Sequence, residues 1–160
     1  MIRPMRPQDR APVLEIIRTT QMFTPGEVAV AEELIDLYLN DPAQKDYGVV
    51  VVEDDRDGVA GYMTWGPTPL AEDVYDLYWM AVSPAAQGRG YGKALVRWLE
   101  DEVRRRQGRM IIIETSSQPH YHPTRQFYIN LAYREVARIP DYYKPGDDRI
   151  IYTKHIGKES

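Results

Sequence analysis

Apolar residues recur along the chain with two different spacings, and each spacing predicts a different kind of element. A repeat of three to four residues predicts four helices: one capped by Asp9 with Pro12 in its first turn, and three more over residues 25–40, 88–107 and 123–131. Extended, β-branched stretches predict seven strands, over residues 2–5, 47–53, 59–65, 74–83, 110–116, 134–139 and 149–155. The continuous isoleucines of the fifth stretch predict a strand buried on both faces.

These elements follow one another in the order β-α-α-β-β-β-α-β-α-β-β, with no internal repeat, low-complexity stretch or linker between them. A chain of 160 residues without such a boundary predicts a single domain over residues 1–160. The expected fold class is α/β in the α+β sense. We expect a mixed, mostly antiparallel central sheet flanked by the helices, with one central β-α-β crossover.

Composition narrows the classes of function. Apolar residues make up 43% and charged residues 28% of the chain, which is typical of a globular protein. The sequence has no cysteine, which excludes a disulfide framework, a thiolate metal site and a cysteine nucleophile. A net charge of −4 argues against general binding of nucleic acid. The start of the chain lacks a signal peptide's apolar segment, and the longest aliphatic run, residues 49–52, is too short to span a membrane. We therefore expect a cytoplasmic protein without membrane contact.

The segment with the clearest chemistry is Gln87-Gly88-Arg89-Gly90-Tyr91-Gly92, followed by Lys93, where a strand runs through glycines into a helix. Such a loop aims backbone N–H groups outward at a helix N-terminus, which suits phosphate oxygens. A dinucleotide fingerprint would need a third glycine at Lys93, and a P-loop would need glycine at Gln87 and Ser or Thr at Ala94. The alternative is a helix-starting turn that merely contains glycine.

At these residues the chain resembles the GNAT acetyltransferases. The glycine segment is similar to the family signature (Gln/Arg)-x-x-Gly-x-(Gly/Ala), and residues 77–84 resemble the strand that precedes it. Arg125-Gln126-Phe127-Tyr128, followed by Leu131-Ala132-Tyr133, resembles a later family segment, R-x-F-Y…L-G-(F/Y). Ala132 departs from the family's glycine. Because a left-handed backbone strains alanine by about 1 kcal/mol, we expect this turn to be built differently.

The resemblance implies that acetyl-CoA is the co-substrate and that no metal is needed. In the family the coenzyme A pyrophosphate lies on the amides of the glycine segment, which implies residues 88–93 here. The pantetheine arm pairs with the preceding strand, which implies the backbone of Met80, Ala81 and Val82. Arg89 and Lys93 either add positive charge to this site or are solvated helix residues.

The resemblance also implies direct transfer of the acetyl group to a primary amine in a ternary complex, which a chain without cysteine favours over an acetyl-enzyme. Tyr128 occupies the family position of the acid that protonates the leaving thiolate; the alternative is a core aromatic residue. Asp76, on the strand before the glycine segment, and Glu114, among isoleucines, are candidates for the base. Either carboxylate could instead be a structural ion-pair partner.

The remaining signals identify no acceptor. His120 and His122 lack a third ligand at a spacing that fits zinc. The acidic cluster Glu72, Asp73 and Asp76 is compatible with a cationic amine, either small or peptidic. Two rival functions stay open, an acyl-CoA sensor without catalysis and an interaction module with exposed aromatic residues. A homodimer also stays open.

Overall fold

The computed structural model describes residues 1–56 and 58–157, which form seven strands, four helices and three short 3₁₀ turns. The strands are β1 (Ile2–Pro4), β2 (Gly48–Asp54), β3 (Gly58–Pro67), β4 (Val74–Val82), β5 (Met110–Ser116), β6 (Arg134–Lys144) and β7 (Asp147–His155). The helices are α1 (Arg10–Thr19), α2 (Pro25–Asn40), α3 (Tyr91–Arg105) and α4 (His122–Asn130). The predicted α/β class and the predicted order of elements are confirmed. The strands lie in one mixed sheet in the order β1-β2-β3-β4-β5-β7-β6.

The chain divides into two compact units. The first contains Met1–Pro67 and Leu77–Leu99, and the second contains Thr68–Asp76 and the chain from Glu100 onward. The cut passes through β4 and α3, so each unit contains part of both elements.

In the first unit, β1, β2 and β3 are antiparallel neighbours, with Arg3 opposite Val51 and Val51 opposite Tyr62. Alternating residues of these strands pack with α1 and α2 into an apolar cluster that includes the fully buried Val13 and Ile35. The β4 segment joins this layer, where the Ser83 N–H donates to the Ala60 carbonyl at 2.7 Å. The helix pattern and Pro25 start signal of α2 are confirmed, and Thr24 with Glu27 forms its capping box.

Asp9 lies at the N-cap position of α1, as predicted, but its side chain does not cap the helix. Asp9 ends a short 3₁₀ turn in helical conformation and makes no cap bond to α1. Its carboxylate accepts the Arg6 backbone N–H at 2.7 Å and forms a buried ion pair with Arg3 at 2.7 Å. Burial alone would raise the pKa of Asp9, but the hydrogen bonds from Arg3 and Arg6 outweigh it and lower the pKa below its usual value.

In the second unit, β7 lies between β5 and β6 and is antiparallel to both, with Tyr152 opposite Ile113 on one side and Glu135 on the other. The prediction that β5 is buried on both faces is wrong. Ile111, Ile113 and Thr115 are buried, whereas the residues between them are partly or fully exposed. One face of β5 is therefore buried and the other is partly exposed to solvent.

The edge strand β6 is exposed along all eleven residues, including the apolar Val136 and Tyr142. Its pairing with β7 is interrupted between Ile139 and Lys144. Pro140 and Asp141, the latter with φ of 53°, lie in this interruption. The edge is therefore irregular at its middle.

Among the described residues, no helix combines the length and the apolar character that crossing a membrane would require.

Candidate active site

The glycine loop, residues 87–93, follows β4 and the 3₁₀ turn Pro84–Ala86 and includes the first residues of α3. Helix α3 begins at Tyr91 and not at Gly88 as the pattern predicted, because Gly88 (φ 82°) and Gly90 (φ 83°) both have left-handed backbones. No atom lies within 4 Å of a Cβ built on either glycine, so backbone conformation and not space requires them. The first N–H groups of a helix have no acceptor inside it. The loop therefore presents donors at the positive end of α3.

Two side chains of the glycine loop are bound by Asp54, the last residue of β2. Arg89 donates to Oδ2 of Asp54 at 3.0 Å, and the Tyr91 hydroxyl donates to the same oxygen. The hydrogen bond to this carboxylate, followed by burial, raises the pKa of Tyr91. Sequence reasoning missed Asp54, since 35 residues separate it from Arg89. Arg89 is thus paired within the protein, which neither of its two predicted roles included.

The β4 segment before the loop contains Met80, Ala81 and Val82. Ala81 is buried against the apolar cluster of the first unit, whereas its two neighbours are partly exposed. A Cβ at Gly61 of β3 would lie 2.9 Å from the Ala81 carbonyl oxygen, so only glycine permits this close approach of β3 and β4. The position of the Ala81 backbone is therefore fixed by a residue on the neighbouring strand.

Tyr128 lies on α4 in the second unit and is buried. Its ring contacts those of Phe127 and Tyr133 at centroid distances of 5.3 and 6.1 Å. Burial, with a smaller contribution from Tyr121, raises the pKa of Tyr128. Its hydroxyl therefore stays protonated at neutral pH and can donate a hydrogen bond, although a higher pKa makes it a weaker acid.

Arg125, one turn before Tyr128, is an anchor that sequence reasoning did not assign. Its guanidinium donates to the carbonyl oxygens of Ser116 at 2.8 Å and Gln118 at 2.9 Å. These contacts hold α4 to the last residue of β5 and to the segment that follows it.

The two candidate bases, Asp76 and Glu114, have different surroundings within the second unit. The Asp76 carboxylate accepts the Thr68 hydroxyl at 2.6 Å and is half-buried. Glu114 forms an ion pair with Arg149, whose guanidinium lies 4.8 Å from the centre of the Tyr142 ring. The ion pair of Glu114 with Arg149 is the kind of contact that the structural alternative describes, and Asp76 stays a candidate for the base.

His120 and His122 are exposed, and the His120 ring contacts the neighbouring Tyr121 at 4.6 Å. Over residues 1–56 and 58–157, no three His, Asp or Glu side chains are grouped so that they could hold a metal ion. The acidic residues Glu72 and Asp73 lie in an exposed turn, where their backbone carbonyls accept hydrogen bonds from Arg109.

The expectation that Ala132 changes the turn after α4 is wrong. Ala132 has φ of 72°, which is the left-handed conformation that glycine would adopt there. The turn is kept, because the Tyr133 N–H donates to the Tyr128 carbonyl at 3.1 Å and Lys154 donates to the Leu131 carbonyl at 3.0 Å. The alanine is therefore strained in an ordinary helix-ending turn.

Comparison with known proteins gives the following similarities. The model of the acetyltransferase (GNAT) family matches residues 13–133. The crystal structure of a GNAT-family acetyltransferase from Desulfovibrio desulfuricans is 40% identical, with a TM-score of 0.92 over 98% of this chain and 99% of that one. No curated protein matches the sequence.

Two more distant crystal structures share the fold. The ribosomal-protein-S18-alanine N-acetyltransferase of Escherichia coli is 19% identical, with a TM-score of 0.78 over 100% of this chain and 96% of that one. An aminoglycoside 6'-N-acetyltransferase complexed with coenzyme A is 18% identical, with a TM-score of 0.76 over 100% of this chain and 99% of that one.

Proposed function

Given that the chain belongs to the GNAT acetyltransferase family and is an acyltransferase, we propose that it moves the acetyl group of acetyl-CoA directly to a primary amine. The observation that carries this proposal is the glycine loop. Two left-handed glycines, Gly88 and Gly90, open onto the N-terminus of α3 with no atom near their Cβ positions. The pyrophosphate of the donor would accept hydrogen bonds from the amides of residues 88–93.

The pantetheine arm of the donor would pair with the backbone of Met80, Ala81 and Val82, because its amides match the hydrogen-bonding groups of an extended strand. The exposed Lys93 adds a positive charge to the same unit. Arg89 lies within the glycine loop and forms an ion pair with Asp54.

In the reaction, the amine nitrogen forms a bond to the thioester carbon and the bond from that carbon to sulfur breaks. An alkyl ammonium has a pKa about three units above neutral, so its deprotonation costs roughly 4 kcal/mol at pH 7. We assign the acceptance of this proton to Asp76, directly or through water, with Glu114 as the second candidate. The hydroxyl of Tyr128 would donate to the departing thiolate, and its protonated state at neutral pH supports this role.

The acceptor is proposed as a primary amine. The names of two structural neighbours, which act on an aminoglycoside and on an alanine of a ribosomal protein, both specify transfer to nitrogen. Direct transfer in a ternary complex is favoured because the sequence contains no cysteine to form a thioester with the enzyme. The cytoplasm stays the proposed location, and residues 1–160 the proposed extent of a single domain.

The donor site is tested by the substitution Gly90→Asp with Gly146→Asp as its matched control. Both glycines have φ of 83° and no atom within 4 Å of their Cβ positions, but Gly146 lies in the β6–β7 turn. We expect Gly90→Asp to abolish binding of acetyl-CoA in calorimetry, through backbone strain and repulsion of phosphate. Gly146→Asp should bind it as the parent protein does. Equal binding by both variants would contradict the proposed site.

Tyr128→Phe tests the assignment of the hydroxyl. Loss of a general acid typically lowers the rate by about 10²–10⁴. The decrease should appear in kcat, with the dissociation constant of acetyl-CoA unchanged. Full turnover, once chemistry is shown to be rate-limiting, would identify Tyr128 as a packing residue and leave Tyr121 as the next acid.

The base is tested with Asp76→Asn and Glu114→Gln. Replacement of the true proton acceptor should lower activity most at low pH, where little free amine is present. An unchanged pH–rate profile in both variants would leave water or the substrate as the base. A protein that binds acetyl-CoA but acetylates no amine would instead be a sensor.

A further inference from the structure

We propose that Asp54 is a positioning residue for donor binding, which holds the glycine loop in its binding conformation before acetyl-CoA arrives. The proposal rests on the donor site proposed above and adds a residue from a strand and turn that lie outside the family's sequence signature. Its basis is that one carboxylate oxygen binds two side chains of the loop, one on each side of Gly90.

The contacts join the loop to the sheet at two points. Arg89 and Tyr91 are two residues apart, and Oδ2 of Asp54 accepts a hydrogen bond from each. The side chain of Asp54 is only 9% exposed, whereas that of Arg89 is 50% exposed, so the carboxylate is shielded from water and its cation is not. Hydrogen bonds to an ionised carboxylate are stronger than those between neutral groups.

The loop needs such a restraint because of its glycines. Gly88 and Gly90 have access to both left-handed and right-handed backbone regions, so the free loop has many conformations. A loop that must be ordered by its ligand binds the ligand more weakly than one already ordered. Since Arg89 lies between the two glycines, its contact with Asp54 restrains the most permissive part of the loop.

A carboxylate close to a phosphate-binding loop would otherwise be unfavourable. Removal of a negative charge near the site should strengthen binding of an anion if the charge acts only by repulsion. Arg89 compensates the Asp54 charge, which reduces this repulsion. The two roles of Asp54 therefore predict opposite signs: positioning predicts weaker donor binding when Asp54 is removed, and repulsion predicts tighter binding.

The test compares Asp54→Ala with Asp55→Ala in the full-length protein. Asp55 is exposed in the adjoining turn and bears the same charge, so its replacement controls for repulsion. We expect Asp54→Ala, which removes the acceptor of both Arg89 and Tyr91, to bind coenzyme A about tenfold more weakly in calorimetry. Asp55→Ala should bind as tightly as the parent protein or slightly more so.

Three further readouts separate positioning from a general structural effect. In the free protein, hydrogen exchange of the amides in residues 88–93 should be faster in Asp54→Ala than in the parent. The KM for acetyl-CoA should rise while kcat is kept. Asp54→Asn, which retains an oxygen acceptor, should recover most of the affinity.

Equal or tighter binding of coenzyme A by Asp54→Ala, with the exchange of the loop unchanged, would overturn the proposal. If the parent protein itself binds no coenzyme A, the proposed donor site fails first, whatever the exchange data show. Faster exchange in Asp54→Ala without any change in affinity would also overturn it, because the restraint would then have no part in binding.

Discussion

Two carboxylates of this protein, Asp54 in the first unit and Glu100 in the second, have the same kinds of partner in different surroundings. Oδ2 of Asp54 accepts from Arg89 and the Tyr91 hydroxyl. Oε2 of Glu100 accepts from Lys154 at 3.0 Å and from the Tyr133 hydroxyl at 3.0 Å. Each oxygen thus binds one cation and one tyrosine.

Burial separates the two clusters. The side chains of Glu100 and Lys154 are 1% and 18% exposed, whereas those of Asp54 and Arg89 are 9% and 50% exposed. A charge without its partner is far more costly inside the protein than near water. The same set of contacts therefore has different consequences. The Glu100 cluster should determine stability, and the Asp54 cluster, with its cation half in solvent, is suited to order a loop.

The largest expected effect is that of Lys154→Met, which would remove the ammonium group that pairs with the buried Glu100 carboxylate at 3.0 Å. We expect a loss of about 3–5 kcal/mol in the free energy of unfolding, measured with urea. The matched variant Arg89→Met removes the cation of the exposed cluster and should cost less than about 1 kcal/mol. Equal losses in the two variants would remove the distinction drawn from burial. The double variant Glu100→Gln, Lys154→Met should regain part of the loss.

The tyrosine partners provide a smaller version of the same comparison. Tyr133→Phe removes a buried hydrogen bond to the Glu100 carboxylate, which should cost about 1.5–3 kcal/mol in unfolding free energy. Tyr91→Phe should change stability by less than about 1 kcal/mol and should weaken binding of coenzyme A instead. Urea unfolding of both variants measures the change in stability, and calorimetry measures their binding of coenzyme A. A stability loss in Tyr91→Phe as large as in Tyr133→Phe would contradict the comparison.

A third carboxylate, Asp9, extends the comparison to pH. Its folded-state pKa is lowered by Arg3 and the Arg6 N–H, so its contribution to stability is present above about pH 4, its unfolded value, and is lost as pH falls through the folded value. The parent protein should therefore be more stable than Asp9→Asn at pH 6, with a smaller difference at pH 3. Unfolding free energies of both proteins at the two pH values test this. A difference independent of pH would contradict it.

The smallest expected effect concerns the turn that Lys154 holds beside the buried cluster. Ala132 has a left-handed backbone, so Ala132→Gly should stabilise the protein by about 0.5–1 kcal/mol. The same exchange at Ala29, exposed within α2, should destabilise by about 0.5–1 kcal/mol. Thermal unfolding of the pair measures both signs. A loss of stability at both positions would show that the Ala132 backbone is not strained.

The elements of this fold were predictable because their signals are local. The Pro25 start of α2, the hairpin turn between β2 and β3, and the periodic apolar residues of α3 each lie within a few residues of what they specify. The glycine loop was predictable for the same reason. The start of α3 was misplaced by three residues, because the apolar spacing of the helix does not reveal that Gly88 and Gly90 have left-handed backbones.

The surroundings of the candidate residues were not predictable, because they depend on contacts between distant parts of the sequence. Glu114 and its partner Arg149 are 35 residues apart, and Glu100 and Lys154 are 54 apart. Glu100 lies among the apolar residues of α3. Because a glutamate is usually solvated, its residue type alone predicts an exposed side chain. Only the fold brings Lys154 to it and makes its burial tolerable.

The irregular edge of β6 has a consequence for the behaviour of the protein at high concentration. A regular exposed strand offers a row of free backbone donors and acceptors to any other extended chain, including a second molecule. Pro140 has no N–H to offer, and the left-handed Asp141 turns the backbone beside it out of the ladder. Each uninterrupted piece of edge is therefore short. The strand therefore displays Val136 and Tyr142 to solvent on an edge that is a poorer template for aggregation than a regular one.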